Sequence, residues 1–196
     1  MIHSYLARLA LLMIFSGLSL NLILQCGFGL RGIAIVRQDG RQLLIKLGLL
    51  FVTVLLLWLL FSLVISRLGL GLYEYIIIFP VSALAFFCLD YCLFKLVLKK
   101  EDTCNSPVCF YDGLAGAAFF ITRNIAENFA GAAALSLGFS AGILLSFVII
   151  GEIRRRAVME NVPAFLRGSP LALVAMGLLS LVFTSAAVML FRALEG

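Results

Sequence analysis

Six apolar runs, separated by short polar turns, set the pattern of this chain. They cover about 5–34, 43–66, 72–98, 113–122, 129–150 and 171–190. A membrane-crossing helix needs about 20 predominantly apolar residues, so most of these runs are long enough to cross. The first is over-long and is punctuated in its second half by Asn21, Gln25 and Arg31, and by Gly27, Gly29 and Gly32. That pattern reads either as a helix ending near Cys26 with a glycine-rich exit, or as a broken helix, a form tolerated at membrane depth only where protein or a cavity covers the open backbone. The fourth run is short, rich in Gly and Ala, and followed at once by Arg123-Asn124-Ile125-Ala126-Glu127. Two readings of that segment stand side by side: a short external loop, or a second helix break lined by an Arg123–Glu127 pair four residues apart.

The turn Arg154-Arg155-Arg156 cannot enter hydrocarbon, where each guanidinium costs roughly 2.5–3.5 kcal/mol at a helix centre. It predicts a loop at the membrane surface. Ser169-Pro170 then reads as an N-cap followed by proline in the first helical turn, where the missing N–H is harmless. Lys46 lies near the start of the second run, where its stem could snorkel to the interface. Pro80 predicts a kink in the third run. Gly138-x-x-x-Gly142 offers a close helix approach in the fifth.

Composition narrows the class. Of 196 residues, 63% are hydrophobic and 13% charged. Soluble domains sit near 45–50% and 25%. The chain therefore reads as an all-α integral membrane protein without an appended soluble domain. The net charge of +5 reflects surface loops rather than nucleic acid. Residues 9–24 could pass for a signal-peptide core, but no small-x-small site follows, and the segment reads as a retained span. His3 is the sole histidine, and no Cys-x-x-Cys occurs among the five cysteines. A soluble active site of the Ser-His-Asp or phosphate-cradling kind is absent from the pattern.

Charge also orients the chain. Of the fifteen Lys and Arg residues, Arg8, Arg67, Arg123 and Arg192 fall on one side, and the other eleven follow runs one, three and five. The positive-inside rule then puts both termini outside the cytoplasm. Three spans per half make residues 101–196 run inverted relative to 1–100, within one membrane domain. The expectation is six transmembrane helices as a 3+3 inverted repeat, with helices 1 and 4 discontinuous and a midplane site between them. The intramembrane polar candidates are Asn21, Arg31, Asp90, Arg123, Asn124 and Glu127. Asp90 reads either as a functional carboxylate, as intramembrane ionisable groups are by default, or as a partner of Lys95 near the interface. Cys104 and Cys109 fall on the cytoplasmic side by this rule, where thiols stay reduced.

Several segments resemble the RnfA/NqrE-type membrane subunits of the Rnf/Nqr redox complexes. Residues 153–182 carry the resemblance, with Asn161-Val162-Pro163-Ala164-Phe165 and Arg167-Gly168 at its centre. Ser106-Pro107-Val108, Asn128-Phe129 and Gly138-Phe139-Ser140-Ala141 add to it. The similarity is good over 105–190 and weak over 1–100. It implies a six-span inverted repeat in a bacterial-type inner membrane, paired with a homologous subunit of opposite topology and with other subunits of a redox complex. It implies a [2Fe–2S] cluster shared between the two subunits, each half of each subunit supplying one cysteine, with electron passage coupled to Na⁺ or H⁺ movement. Carried onto this chain, Cys26 in Gln25-Cys26-Gly27-Phe28 matches the first cysteine. An alignment through Asn21 and Gly29-Leu30 puts Arg31 there instead. The second position falls on Arg123 or Asn124, neither of them a thiolate. Alongside the electron-transfer subunit stand two alternatives: a cluster-free paralogue serving as a structural or ion-pathway subunit, and a small stand-alone transporter. Catalysis, if any, would belong to the complex as an ion-translocating oxidoreductase.

Overall fold

A computed structural model describes residues 2–26, 40–63, 73–92, 113–159 and 169–195. The described residues form helices and no strand. These are α1 (Ile2–Leu18), α2 (Leu22–Cys26), α3 (Gly40–Leu63), α4 (Tyr73–Tyr91), α5 (Leu114–Ile125), α6 (Phe129–Met159) and α7 (Ser169–Glu195). Three stretches are long and apolar enough to cross a bilayer: Tyr5–Gln25, Leu43–Leu63 and Phe129–Ala157. Ile76–Leu89, Leu114–Ile125 and Leu173–Met189 are shorter apolar helices. Arg31, Lys95, Cys104 and Cys109 lie outside the described residues, as do most of the resemblance-bearing residues between α6 and α7.

α6 is the centre of the bundle. It packs against α1, α2, α3, α5 and α7. Contacts along it fix the direction of its neighbours. Leu12 lies near Gly131 and Gly17 against Gly138 and Gly142, so α1 runs parallel to α6. Trp58 stacks edge-on to Phe129 at 6.0 Å, while Lys46 shares a cavity with Ile143 and Phe147, so α3 runs antiparallel. Leu114 reaches the same cavity, while the end of α5 is only Ala126, Glu127 and Asn128 away from the start of α6. α5 and α6 are thus an antiparallel hairpin. This alternation is the one that runs one to five require if each crosses in turn.

The interior is apolar and aromatic. Phe61 and Phe119 pack at 4.8 Å, and Phe86, Phe139, Ile143 and Ile150 are also fully buried. The outside is as oily as the inside: Ile76, Leu181 and Met189 are each more than 70% exposed. In water such a surface would drive association; in lipid tails it has no cost. Buried hydroxyls are satisfied within their own helices. Thr53 Oγ1 donates to the Leu49 carbonyl and Thr122 Oγ1 to that of Ala118, both at 2.7 Å. This is the usual answer for Ser and Thr where water is absent.

Four expectations are corrected here. The segment after the fourth run does not interrupt a continuing span: Ala126, with extended backbone, ends α5 and the chain reverses into α6. The loop reading holds, and the discontinuity expected in helix 4 does not. Glu127 lies beyond the helix end, so Arg123 and Glu127 do not share a helical face. The basic turn Arg154-Arg155-Arg156 is not a loop either, because α6 continues through it to Met159. Residues 129–150 already rise about 33 Å, enough to cross the hydrocarbon, and arginine is a good helix former once outside it. There Arg156 Nε donates to Glu152 Oε1 at 3.1 Å, with both side chains exposed. Arg156→Ala is expected to change thermal stability by no more than about 0.5 kcal/mol. A loss above about 1 kcal/mol on thermal unfolding would mean this end packs against something. Lastly, Lys46 does not snorkel; it is 9% exposed, enclosed by α2, α3, α5 and α6. α4 runs on through Pro80.

Candidate functional site

The first span does break. α1 ends at Leu18, and the Ser19 and Leu20 amides both return to the Phe15 carbonyl, at 2.9 and 3.1 Å. Sharing one acceptor this way terminates a helix. Asn21 follows, only 2% exposed. Its Oδ1 accepts from the Ile23 and Leu24 amides at 3.2 and 3.4 Å. That is an N-cap, and it starts α2. Its Nδ2 donates to the Gly17 carbonyl at 3.2 Å, tying the new helix back to the old one. The same Nδ2 donates across the bundle to the Gly142 carbonyl at 2.9 Å and to Ser146 Oγ at 2.8 Å. Asparagine suits the place because one short side chain carries both an acceptor and a two-proton donor. Gln25 Nε2 covers the open Ser19 carbonyl and reaches Thr184 Oγ1 of α7 at 3.4 Å.

The close approach depends on glycine. A Cβ on Gly17 would sit 3.0 Å from the Gly138 carbonyl oxygen. One on Gly142 would overlap the Gly17 carbonyl and stand 2.8 Å from its Cα. Gly138, Gly142 and Ser146 recur every fourth residue and form a single row down α6. Ser146 and Gly17 complete the junction and were not singled out in the sequence. The signal was there: Ser146 extends the small-residue spacing by one more step.

Directly beside the junction lies a small cavity lined, among the described residues, by Ile23, Lys46, Leu47, Leu50, Leu114, Ile143 and Phe147. Ile23 and Leu114 place it where α2 and α5 begin. Gly113, at φ 77°, turns the chain into α5 without a side-chain cap. Lys46 is the one charged side chain among the described buried residues.

The other candidates are scattered relative to this point. Arg123 is half-buried in the last turn of α5, and Asn124 is exposed, donating to the Phe120 carbonyl at 2.9 Å. Glu127 is exposed in the hairpin turn. Leu114 marks the end of α5 that meets α2, so Arg123 lies about 13 Å farther along that helix. Asp90 is in the last turn of α4 and Cys26 closes α2; the described side chains include neither. Cys88 and Cys92, flanking Asp90, are free and exposed.

A helical, multi-pass membrane protein with a capped break in its first span is therefore the class of this molecule. No family model matches the chain. It is similar to one component of the ion-translocating oxidoreductase complex of Serratia proteamaculans, 40% identical over 60 residues, which is 31% of each chain. It is also similar to the component of the same name from Escherichia fergusonii, 38% identical over 60 residues and again 31% of each. The matched stretch thus spans about a third of the length of these relatives.

Proposed function

We propose that this chain is a membrane-embedded subunit of an Rnf-like ion-translocating electron-transport complex. On this reading it sits in a bacterial-type inner membrane beside a homologous six-helix subunit, with both termini on the non-cytoplasmic side. The single observation that supports it is the 40% identity over 60 residues to a component of such a complex. The broken first span held on α6 gives that reading a structural counterpart, since irregular backbone at membrane depth accompanies ion and substrate sites. The test is affinity purification of the tagged chain from native membranes in mild detergent. Recovery of redox-active partner subunits in fixed stoichiometry is expected. A chain recovered without them, and able to drive solute uptake by itself in vesicles, would instead be a stand-alone transporter.

On this reading the shared [2Fe–2S] cluster lacks one of the two thiolates that the resemblance would assign to this chain. A four-thiolate site divided between two subunits takes two thiolates from each. Cys26, at the end of α2, offers one. At the end of α5 stand Arg123, whose guanidinium has no acceptor lone pair, and Asn124, a neutral amide and not a thiolate. This favours the cluster-free reading within the same complex, an ion-pathway or structural subunit, and no electron step is assigned to the chain. Cys26→Ala is accordingly expected to leave the iron content and EPR spectrum of the purified complex unchanged. Loss of an iron–sulfur signal in that variant would restore the electron-carrier role.

A further inference from the structure

We propose that the C-terminal end of α6 binds the headgroups of anionic phospholipids through Arg154, Arg155 and Arg156. The proposal goes beyond membership of a redox complex and does not depend on it. Its ground is that these residues lie on a helix and not in a loop. A loop could hold guanidinium groups at any height above the membrane; a helix sets the height. α6 runs unbroken from Phe129 to Met159. Its apolar part ends at Ile150, so positions 154–156 stand about 6–9 Å farther along the axis. The headgroup layer is about 5–7 Å thick on each side of the hydrocarbon. A helix tilt of about 20°, the average for spans, brings the three positions slightly nearer to it. Arginine carries its charge on a long flexible stem, so a guanidinium based at this height reaches lipid phosphates.

The local chemistry suits an anion. Three arginines stand here against a single acid, Glu152, in the same helical stretch. Glu152 Oε1 accepts from Arg156 Nε at 3.1 Å. Arg155 is exposed, and among the described residues no carboxylate pairs with it. Successive helix positions are about 100° apart, so three in a row span more than half of the circumference. A guanidinium fork matches two phosphate oxygens at once, and it is less strongly hydrated than an ammonium. A lipid of net negative charge gains from this field; a zwitterionic one brings a choline cation that is repelled. An acidic protein surface could offer carboxylates, but it would have to reach down to a level that headgroups already fill.

The experiment titrates the purified protein, in mild detergent, with phosphatidylglycerol or with phosphatidylcholine and reads the unfolding temperature. Phosphatidylglycerol should raise it at concentrations where phosphatidylcholine does not. Arg155→Gln should raise the phosphatidylglycerol concentration needed for half of that shift about fivefold, the scale for one basic residue near an anionic surface. The triple variant Arg154→Gln, Arg155→Gln, Arg156→Gln should raise it more than about tenfold. Arg8→Gln is the control. Arg8 is exposed on α1, at the opposite end of the bundle because Leu12 lies near Gly131, and its loss should leave the response unchanged. Unfolding temperatures matched to wild type in phosphatidylcholine show that the fold is kept. A wild type that responds equally to the two lipids overturns the proposal. So does an equal loss in Arg8→Gln and Arg155→Gln, which would make the effect one of diffuse charge. A triple variant that keeps its phosphatidylglycerol response but loses copurifying subunits would make this end of α6 a protein-docking site instead. Membership of a redox complex is decided by copurification of wild type and stands or falls without this result.

Discussion

Gly142→Ala should destabilise the purified protein by about 1–3 kcal/mol, the range for forcing extra atoms into a packed site. The added methyl would meet the Gly17 carbonyl and Cα, which are backbone and cannot swing away. Relief would require α1 to move off α6, and that movement would also stretch the Asn21 bonds to Gly142 and Ser146. Gly142→Leu should therefore prevent recovery of folded protein in detergent. The natural control is Gly177→Ala on α7, where a Cβ meets nothing within 4 Å. There the helix gains alanine's propensity, and stability should rise by up to about 1 kcal/mol. Equal effects at Gly142 and Gly177 in thermal unfolding would mean that α1 and α6 are not in backbone contact.

Asn21→Leu should cost about as much, roughly 2–3 kcal/mol, by a different route. Leucine keeps the bulk and leaves the Ile23 and Leu24 amides without their cap, while the Gly142 carbonyl, which keeps its bond from Ser146 Oγ, is not stranded. Buried groups stranded in this way cost about 1–3 kcal/mol each, less where the backbone can relax. The break should also change form: without a cap, residues 19–24 gain by continuing α1 as regular helix. Amide hydrogen exchange over that stretch would show it, as increased protection around Leu20 in the variant. Unchanged exchange and unchanged stability would mean that the glycine packing alone holds the break.

Much of this was legible in the sequence because lipid imposes simple rules. Run length gave the helices, and glycine spacing in the fifth run gave the tightest packing contact. Asn21 stood out as the polar residue inside an over-long apolar run, and it is the residue around which the break is built. The misses have physical causes. Arg154 to Arg156 read as a loop because hydrophobicity reports where a helix leaves the membrane, not where it ends. The segment after Thr122 left two readings open because a hairpin turn and a helix break share the same small and polar residues. Lys46 read as a snorkelling residue because its enclosure depends on α2 and α5, which come from opposite halves of the chain. Nothing local to residue 46 carries that information.

The clamp between the broken first span and α6 underlies the fold and the site alike. A double-mutant cycle between Asn21→Ala and Ser146→Ala, read by unfolding in detergent, measures it directly. Their side chains meet at 2.8 Å. A coupling of about 0.6–1.7 kcal/mol is expected, the range found for hydrogen bonds between membrane helices. Strictly additive losses, with no coupling beyond experimental error, would contradict it.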